Sequence, residues 1–207
     1  MKTHVYVDGF NLYYGALRGT GFKWLDLAEM CRLLLPAHDI LRIAYFTARV
    51  NGRPSDPDQP QRQLLYLRAL RTIPNIQIVF GHFITTQVTM PLAGCPPGVL
   101  KTARVIKTEE KGSDVNLAAH LLRDGYLGLY EAAVLVTNDT DLLEPIRIVR
   151  RELGRTAGIL NPHTHPSWML LRHATFVKPI RKGVLAASQF PAALHDEHGQ
   201  FTKPASW

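Results

Sequence analysis

Apolar residues along this chain fall into short blocks separated by stretches of helical spacing, and the two kinds alternate almost from end to end. His4 to Val7 reads as a strand that ends at Asp8. Leu25 to Leu35 has helical spacing and stops at Pro36, and Ile40 to Thr47 predicts the next strand. A helix is expected from about Gln61 to Thr72, with Leu64, Leu67 and Leu70 among its apolar positions, followed by a strand over Ile76 to Ile84. Ala103 to Lys107 predicts a strand leading toward Glu109 and Glu110, and Ser113 to Tyr126 a helix. A buried strand at Ala132 to Thr137, a helix at Asp141 to Leu153 and a strand at Thr156 to Leu160 follow. A short helix near Trp168 to Arg172 and a strand at Thr175 to Val177 complete the pattern. Such alternation predicts an α/β fold, a three-layer α/β/α sandwich around a mainly parallel central sheet.

Three stretches depart from the alternation. Asn51 to Pro60 is dominated by turn formers and predicts a mobile surface loop. From about 85 to 102, Gly94, Pro96, Pro97 and Gly98 exclude a long helix and predict an inserted excursion, a hairpin being one form of it. The pattern fades past Leu160, so one domain is expected over 1–180, with 181–207 as a C-terminal tail that is partly ordered at best.

Composition narrows the class. An apolar content of 46% with 20% charged residues is that of a globular protein and excludes a disordered one. No apolar run is long enough to span a bilayer and no signal-peptide pattern opens the chain, so a cytoplasmic protein without a membrane partner is expected. The two cysteines, Cys31 and Cys95, lack a C-x-x-C spacing, which argues against a structural zinc site and a disulfide framework. Cys31, inside a helical apolar pattern, is expected to be a buried reduced thiol.

The candidate chemistry is acidic. Asp8 follows one apolar strand, Asp139 follows another, Asp114 opens a helix, and Asp141 lies two residues beyond Asp139. Ligand sites in open α/β sheets form outside the carboxyl ends of the strands. Carboxylates gathered there suit a hard divalent cation, Mg²⁺ or Mn²⁺, which takes oxygen ligands and keeps several waters. Two of the acids also have ordinary helical roles: Asp114 can complement a helix dipole, and Asp141 with Glu144 can form a capping box, whereas Asp8 and Asp139, directly after apolar strands, would be costly to desolvate without a partner. The net charge of +7 around such a pocket suits a polyanionic substrate.

Tyr6-Val7-Asp8-Gly9-Phe10-Asn11-Leu12 resembles the opening motif of NYN-domain proteins, a branch of the PIN-like nuclease superfamily. Glu109-Glu110-Lys111-Gly112-Ser113-Asp114-Val115 looks like the second motif of that family, and Val136-Thr137-Asn138-Asp139-Thr140-Asp141-Leu142 is similar to its third. Thr137-Asn138 stands where serine-glycine is more usual, and asparagine is the residue expected to tolerate an unusual backbone there. The resemblance covers roughly Lys2 to Leu160. It implies a metal-dependent ribonuclease, an endonuclease by expectation, with Asp8, Asp114, Asp139 and Asp141 as catalytic and metal-holding residues, Asp8 and Asp139 being the direct ligands.

For RNA, Asn11 and Lys111 flank the acids, and Arg49 and Arg53 border the 51–60 loop, where basic side chains can track a phosphate backbone. Tyr13, Tyr14 and Trp24 are either stacking faces or core, and His163 and His165 are expected in a surface loop. The rival from another class is a catalytically silent nucleic-acid-binding module, which would be expected to lack one of the acids. Other chemistries fit less well, since there is no Asp-x-Asp after the first strand, no G-x-G-x-x-G and no Walker A pattern. Edge strands and the excursion leave room for a homodimer. A protein partner such as an antitoxin is not legible.

Overall fold

In β1 (Lys2–Asp8) every residue from Thr3 onward is buried. A strand buried on both faces needs neighbours at both sides and cover above and below. β1 pairs in parallel with β2 (Asp39–Thr47) on one side and β6 (Ala132–Val136) on the other. In the computed structural model, which describes residues 1–94, 98 and 101–207, these belong to a six-stranded parallel sheet of order β3-β2-β1-β6-β7-β8. Its edge strands are β3 (Ile76–Phe80) and β8 (Phe176–Pro179), with β7 (Thr156–Asn161) between β6 and β8.

Successive side chains of a strand point to opposite faces, and this alternation builds two cores. Val5, Val7, Val134 and Val136 pack with Trp24, α2 (Leu27–Leu34) and α3 (Gln59–Leu70). Tyr6, Ala133 and Leu135 pack on the other face with α4 (Ser113–Tyr126) and α5 (Leu143–Arg151). The expected α/β/α sandwich results. α2 starts at its cap: the Asp26 carboxylate accepts from the N–H groups of Ala28 (2.9 Å) and Glu29 (3.1 Å). Cys31 is fully buried, and burial pushes its thiol up to about 12.

In the last turns of α4, the fully buried Asp124 accepts hydrogen bonds from the Tyr6 hydroxyl (2.9 Å) and from Arg42 (2.8 Å) and Arg123 (3.0 Å). Buried charge is tolerable only with such partners.

The strand expected over Ile76 to Ile84 is two strands in two sheets. Its chain leaves the main sheet at Gly81 and enters β4 (His82–Pro91), which pairs antiparallel with β5 (Thr102–Lys111) from His82↔Lys111 to Pro91↔Thr102. A Cβ on Gly81 would stand 2.6 Å from the Lys111 carbonyl, so the base of this ribbon closes only around glycine. The expected excursion is therefore a long hairpin. Cys95, Pro96 and Pro97 lie outside the described residues.

The loop at 51–60 is fastened more closely than its composition suggests. Arg53 and Asp56 exchange backbone hydrogen bonds, and Arg62 grips both oxygens of Asp56 at 2.5 Å. At its near end, Gln63 bonds the Val50 N–H (3.0 Å) and the Ala48 carbonyl (2.9 Å).

Beyond α6 (Trp168–His173) and β8, the segment expected to be loosely ordered packs back on the body as α7 (Lys182–Ala187) and a hairpin of β9 (Ala193–Asp196) and β10 (Gly199–Thr202). Trp24 explains this. It is fully buried, donates to the Pro191 carbonyl at 2.9 Å, and meets the rings of Phe190, Phe201 and Trp207 at 5.9, 6.4 and 6.4 Å. Among the described residues no helix is long and apolar enough to cross a membrane.

Candidate metal centre

β1 and β6 are the neighbours at which the strand order reverses, β2 and β3 running off to one side and β7 and β8 to the other. A crevice opens outside the carboxyl ends of the strands at such a point. Asp8 is the last residue of β1 and is buried. Its carboxylate accepts from the Asn11 N–H at 2.9 Å, which starts the single turn of α1 (Gly9–Leu12), and from the Thr137 hydroxyl at 3.3 Å. That hydroxyl also accepts from the Asp139 N–H at 3.1 Å, so Thr137 ties the ends of the two strands together. Asp139 in turn caps the 3₁₀ turn Thr140–Leu142, accepting from the Asp141 N–H at 2.9 Å.

The third acid arrives on α4. Gly112, in the left-handed region at φ +96°, turns the chain from β5 into the helix, and the Glu110 carboxylate accepts from the N–H (3.1 Å) and hydroxyl (2.8 Å) of Ser113. Asp114 then sits in the first turn, half-buried. One oxygen from each of Asp8, Asp114 and Asp139 lies within 4.8 Å of the other two.

Burial raises Asp8 to about 6, against hydrogen bonds from Asn11 and Thr137 that lower it, with the charges of Asp114 and Asp139 raising it further. Asp114 is also raised, first by burial and then by Asp139, Glu110 and Asp141. Carboxylates held together against their own repulsion form a site that a cation relieves, and an all-oxygen donor set fits Mg²⁺ or Mn²⁺. The residues present therefore fit a divalent cation.

Three of the four expected acids come together. Asp141 is exposed and outside that group, though close enough to raise Asp114. The capping role expected of Asp141 belongs to Asp139. Asn11 is engaged in the scaffold: its side-chain oxygen accepts from the Asn138 N–H at 2.9 Å and lies 3.1 Å from His163 Nε2. Arg49 is exposed, its guanidinium 5.4 Å from the Phe80 ring centroid. Arg53 is exposed in the 51–60 turn, and Lys111 ends β5 with its ammonium 3.7 Å from Glu109.

Asn138 needs no unusual backbone, because no non-glycine residue among those described has positive φ. Its side chain instead donates to the His165 carbonyl (3.1 Å) and accepts from the Ser167 N–H (2.7 Å). His163, expected at the surface, is half-buried. Thr137 is a supporting residue that sequence reasoning missed, and Glu110, read from the sequence as one of an exposed loop pair or an outer ligand, instead caps α4. A threonine ending a buried strand just before an acid was the available signal for Thr137. Trp24 is core and offers no stacking face. Tyr13 and Tyr14 line a cavity of about 770 Å³ that shares Gly9 and Glu110 with the edge of the acidic site.

The NYN domain family matches residues 2–178 of the chain. The chain is 30% identical over 236 residues to 6-hydroxy-3-succinoylpyridine 3-monooxygenase HspA of Pseudomonas putida (strain DSM 28022 / S16), an alignment covering 100% of this chain and 75% of that protein. Its fold is similar to a protein of unknown function, VPA0982, from Vibrio parahaemolyticus RIMD 2210633, with a TM-score of 0.56, 16% identity, and coverage of 87% of this chain and 93% of that one. With the family matched from the first strand through the eighth, and the acids gathered at the switch point, the chain belongs to the NYN-domain family, which is nuclease-like.

Proposed function

We propose that the protein is a metal-dependent ribonuclease that hydrolyses internal phosphodiester bonds of RNA. The observation that carries this reading is the meeting of Asp8, Asp114 and Asp139 within 4.8 Å at the crevice between β1 and β6. Asp8 and Asp139 serve as direct ligands, Asp114 helps to hold the ion through water, and Asp141 positions the attacking water. When bound, Mg²⁺ or Mn²⁺ supplies charge that polarises a non-bridging phosphoryl oxygen and lowers the pKa of water. Asn11 keeps the Asp8 and Asp139 loops in register, and Arg49, Arg53 and Lys111 hold flanking phosphates.

Wild-type protein should cut a mixed RNA pool with either metal and stop in EDTA. Asp139→Asn should lose more activity than the ~10–100-fold typical of residues behind a ligand, with its melting temperature retained. Cleavage that persists in EDTA, or in Asp139→Asn, removes the metal-site assignment. RNA binding without any cleavage by pure wild type would favour the silent binding module.

A second reading comes from the name of the Pseudomonas relative, hydroxylation of a heteroaromatic ring, and the aromatic-walled cavity beside Glu110 favours it. Hydroxylation consumes dioxygen and a two-electron donor. Oxygen uptake coupled to NADH oxidation in the presence of a hydroxypyridine acid tests it, and no uptake removes it.

A further inference from the structure

The cavity of about 770 Å³ falls within the roughly 300–1,000 Å³ of small-ligand sites. It lies beside the three-carboxylate group rather than in it, beneath the 51–60 turn. Its walls are aromatic. Phe10 and Phe83 meet edge to face at 5.8 Å on the side nearer the acids, Tyr13 and Tyr14 at 5.3 Å, and Trp207 contributes from the C-terminus. Tyr14 is 51% exposed, so its ring is not spent on the core.

Charge narrows the occupant. Three cations, Lys23, Arg53 and Arg62, and two carboxylates, Asp56 and Glu110, line the cavity. Arg62 is taken by Asp56, and Glu110 is engaged by Ser113. That leaves Lys23 and Arg53, neither in an ion pair with a carboxylate among the described residues. Lys23 lies 5.9 Å from the Trp207 ring centroid, so Arg53 is the cation that an uncharged ring would leave unmatched, and an anion without a ring would gain nothing from the tyrosines.

We propose that this cavity is a binding site for a planar heteroaromatic ring carrying an anionic group, the ring against Tyr13, Tyr14 and Phe83 and the anion toward Arg53 and Lys23. The ring and anion can be the base and phosphate of a nucleotide, or a free heteroaromatic carboxylate. The site needs no metal, and it shares Arg53 with the cations proposed above to hold flanking phosphates.

Calorimetric titration of the full chain in EDTA tests it, with adenosine 5′-monophosphate and nicotinate as ring-plus-anion probes. Ribose 5-phosphate lacks the ring, and adenosine and nicotinamide lack the anion. At least one ring-plus-anion probe should bind about tenfold or more tightly than its controls, as expected for aromatic stacking combined with charge pairing. Tyr14→Ala and Arg53→Ala, both at exposed positions, should each weaken that binding about five- to tenfold without moving the melting temperature. Binding of the nucleotide alone assigns the site to RNA, and binding of nicotinate alone assigns it to a free acid. Asp8→Asn, which disables the metal group, should leave probe binding intact. The proposal is overturned if neither probe binds, if the ringless or uncharged controls bind equally well, or if neither cavity variant matters. It is overturned equally if Asp8→Asn abolishes binding.

Discussion

A carboxylate at the end of a buried strand must find partners or hold a proton. Asp8 has two donors, Asn11 and Thr137, and two acidic neighbours, and burial sets the balance at about 6, above the ordinary 3.8. The folded protein therefore keeps a proton, between these two values, that the unfolded chain has released. Stability of the metal-free protein should fall as pH rises through that window, by ~2–3 kcal/mol in all, with the loss complete above the folded value. Asp8→Asn should remove this slope and be the more stable protein at neutral pH in EDTA. Mn²⁺ runs the other way, since protons compete with it, so added Mn²⁺ should raise the melting temperature more at about pH 7.5 than at about pH 5. Urea unfolding across this range, with EDTA or Mn²⁺, checks both signs. A wild type with no slope between the two pH values would mean that Asp8 is ionised throughout. At this scale the acids themselves were legible, because aspartate after an apolar strand is costly without a purpose. Thr137 and Glu110 were not, since a hydroxyl that serves two strand ends, or a carboxylate that caps the next helix, acquires its role only when the chain has folded.

Among the elements, α4 decides whether Asp8 and Asp139 gain their third partner. It leaves β5 through Gly112 at φ +96°, where any side chain is strained. Gly112→Ala should cost about 1–2 kcal/mol and tilt Asp114 out of place, weakening Mn²⁺ binding. Gly128, just past the other end of the helix at φ +71°, provides the control. Gly128→Ala should lose comparable stability in urea while Mn²⁺ titration stays at the wild-type value. Equal Mn²⁺ binding by both variants would separate Asp114 from the metal. The span of α4 was readable because its 3.6-residue period runs unbroken between Gly112 and the Tyr126-Leu127-Gly128 end. The break between β3 and β4 was not. Both flanks are β-formers, and Gly81 is the only punctuation, so one long strand and two short ones look alike until the Lys111 carbonyl is seen to crowd it.

For the whole molecule, alternation of strands and helices sufficed for a parallel sheet, and right-handed crossovers bring β1 beside β6 in few ways. The C-terminal segment escaped this logic. Its apolar residues, Leu185, Phe190, Leu194, Phe201 and Trp207, follow no helical or alternating period, because they reach one core from separate short elements, Phe190, Phe201 and Trp207 meeting Trp24 and Trp207 also meeting Tyr66. Phe201 shows what the segment contributes. It is buried, its ring lies 6.4 Å from Trp24, and the Arg68 guanidinium stacks 4.1 Å from its centroid while gripping Asp196 at 2.7 and 2.6 Å. Phe201→Ala should therefore cost about 3–5 kcal/mol, as for other buried phenylalanines, and shift tryptophan emission to the red as water reaches Trp24. The acids are tied by Asn11, Thr137 and Gly112 rather than by the C-terminal segment, so Mn²⁺ affinity of the folded fraction should not change. Urea unfolding followed by fluorescence, with Mn²⁺ titration below the transition, reads the two separately. A Phe201→Ala protein of unchanged stability would mean that the tail merely lies on the body. Lost Mn²⁺ binding with stability retained would mean that the tail positions the site.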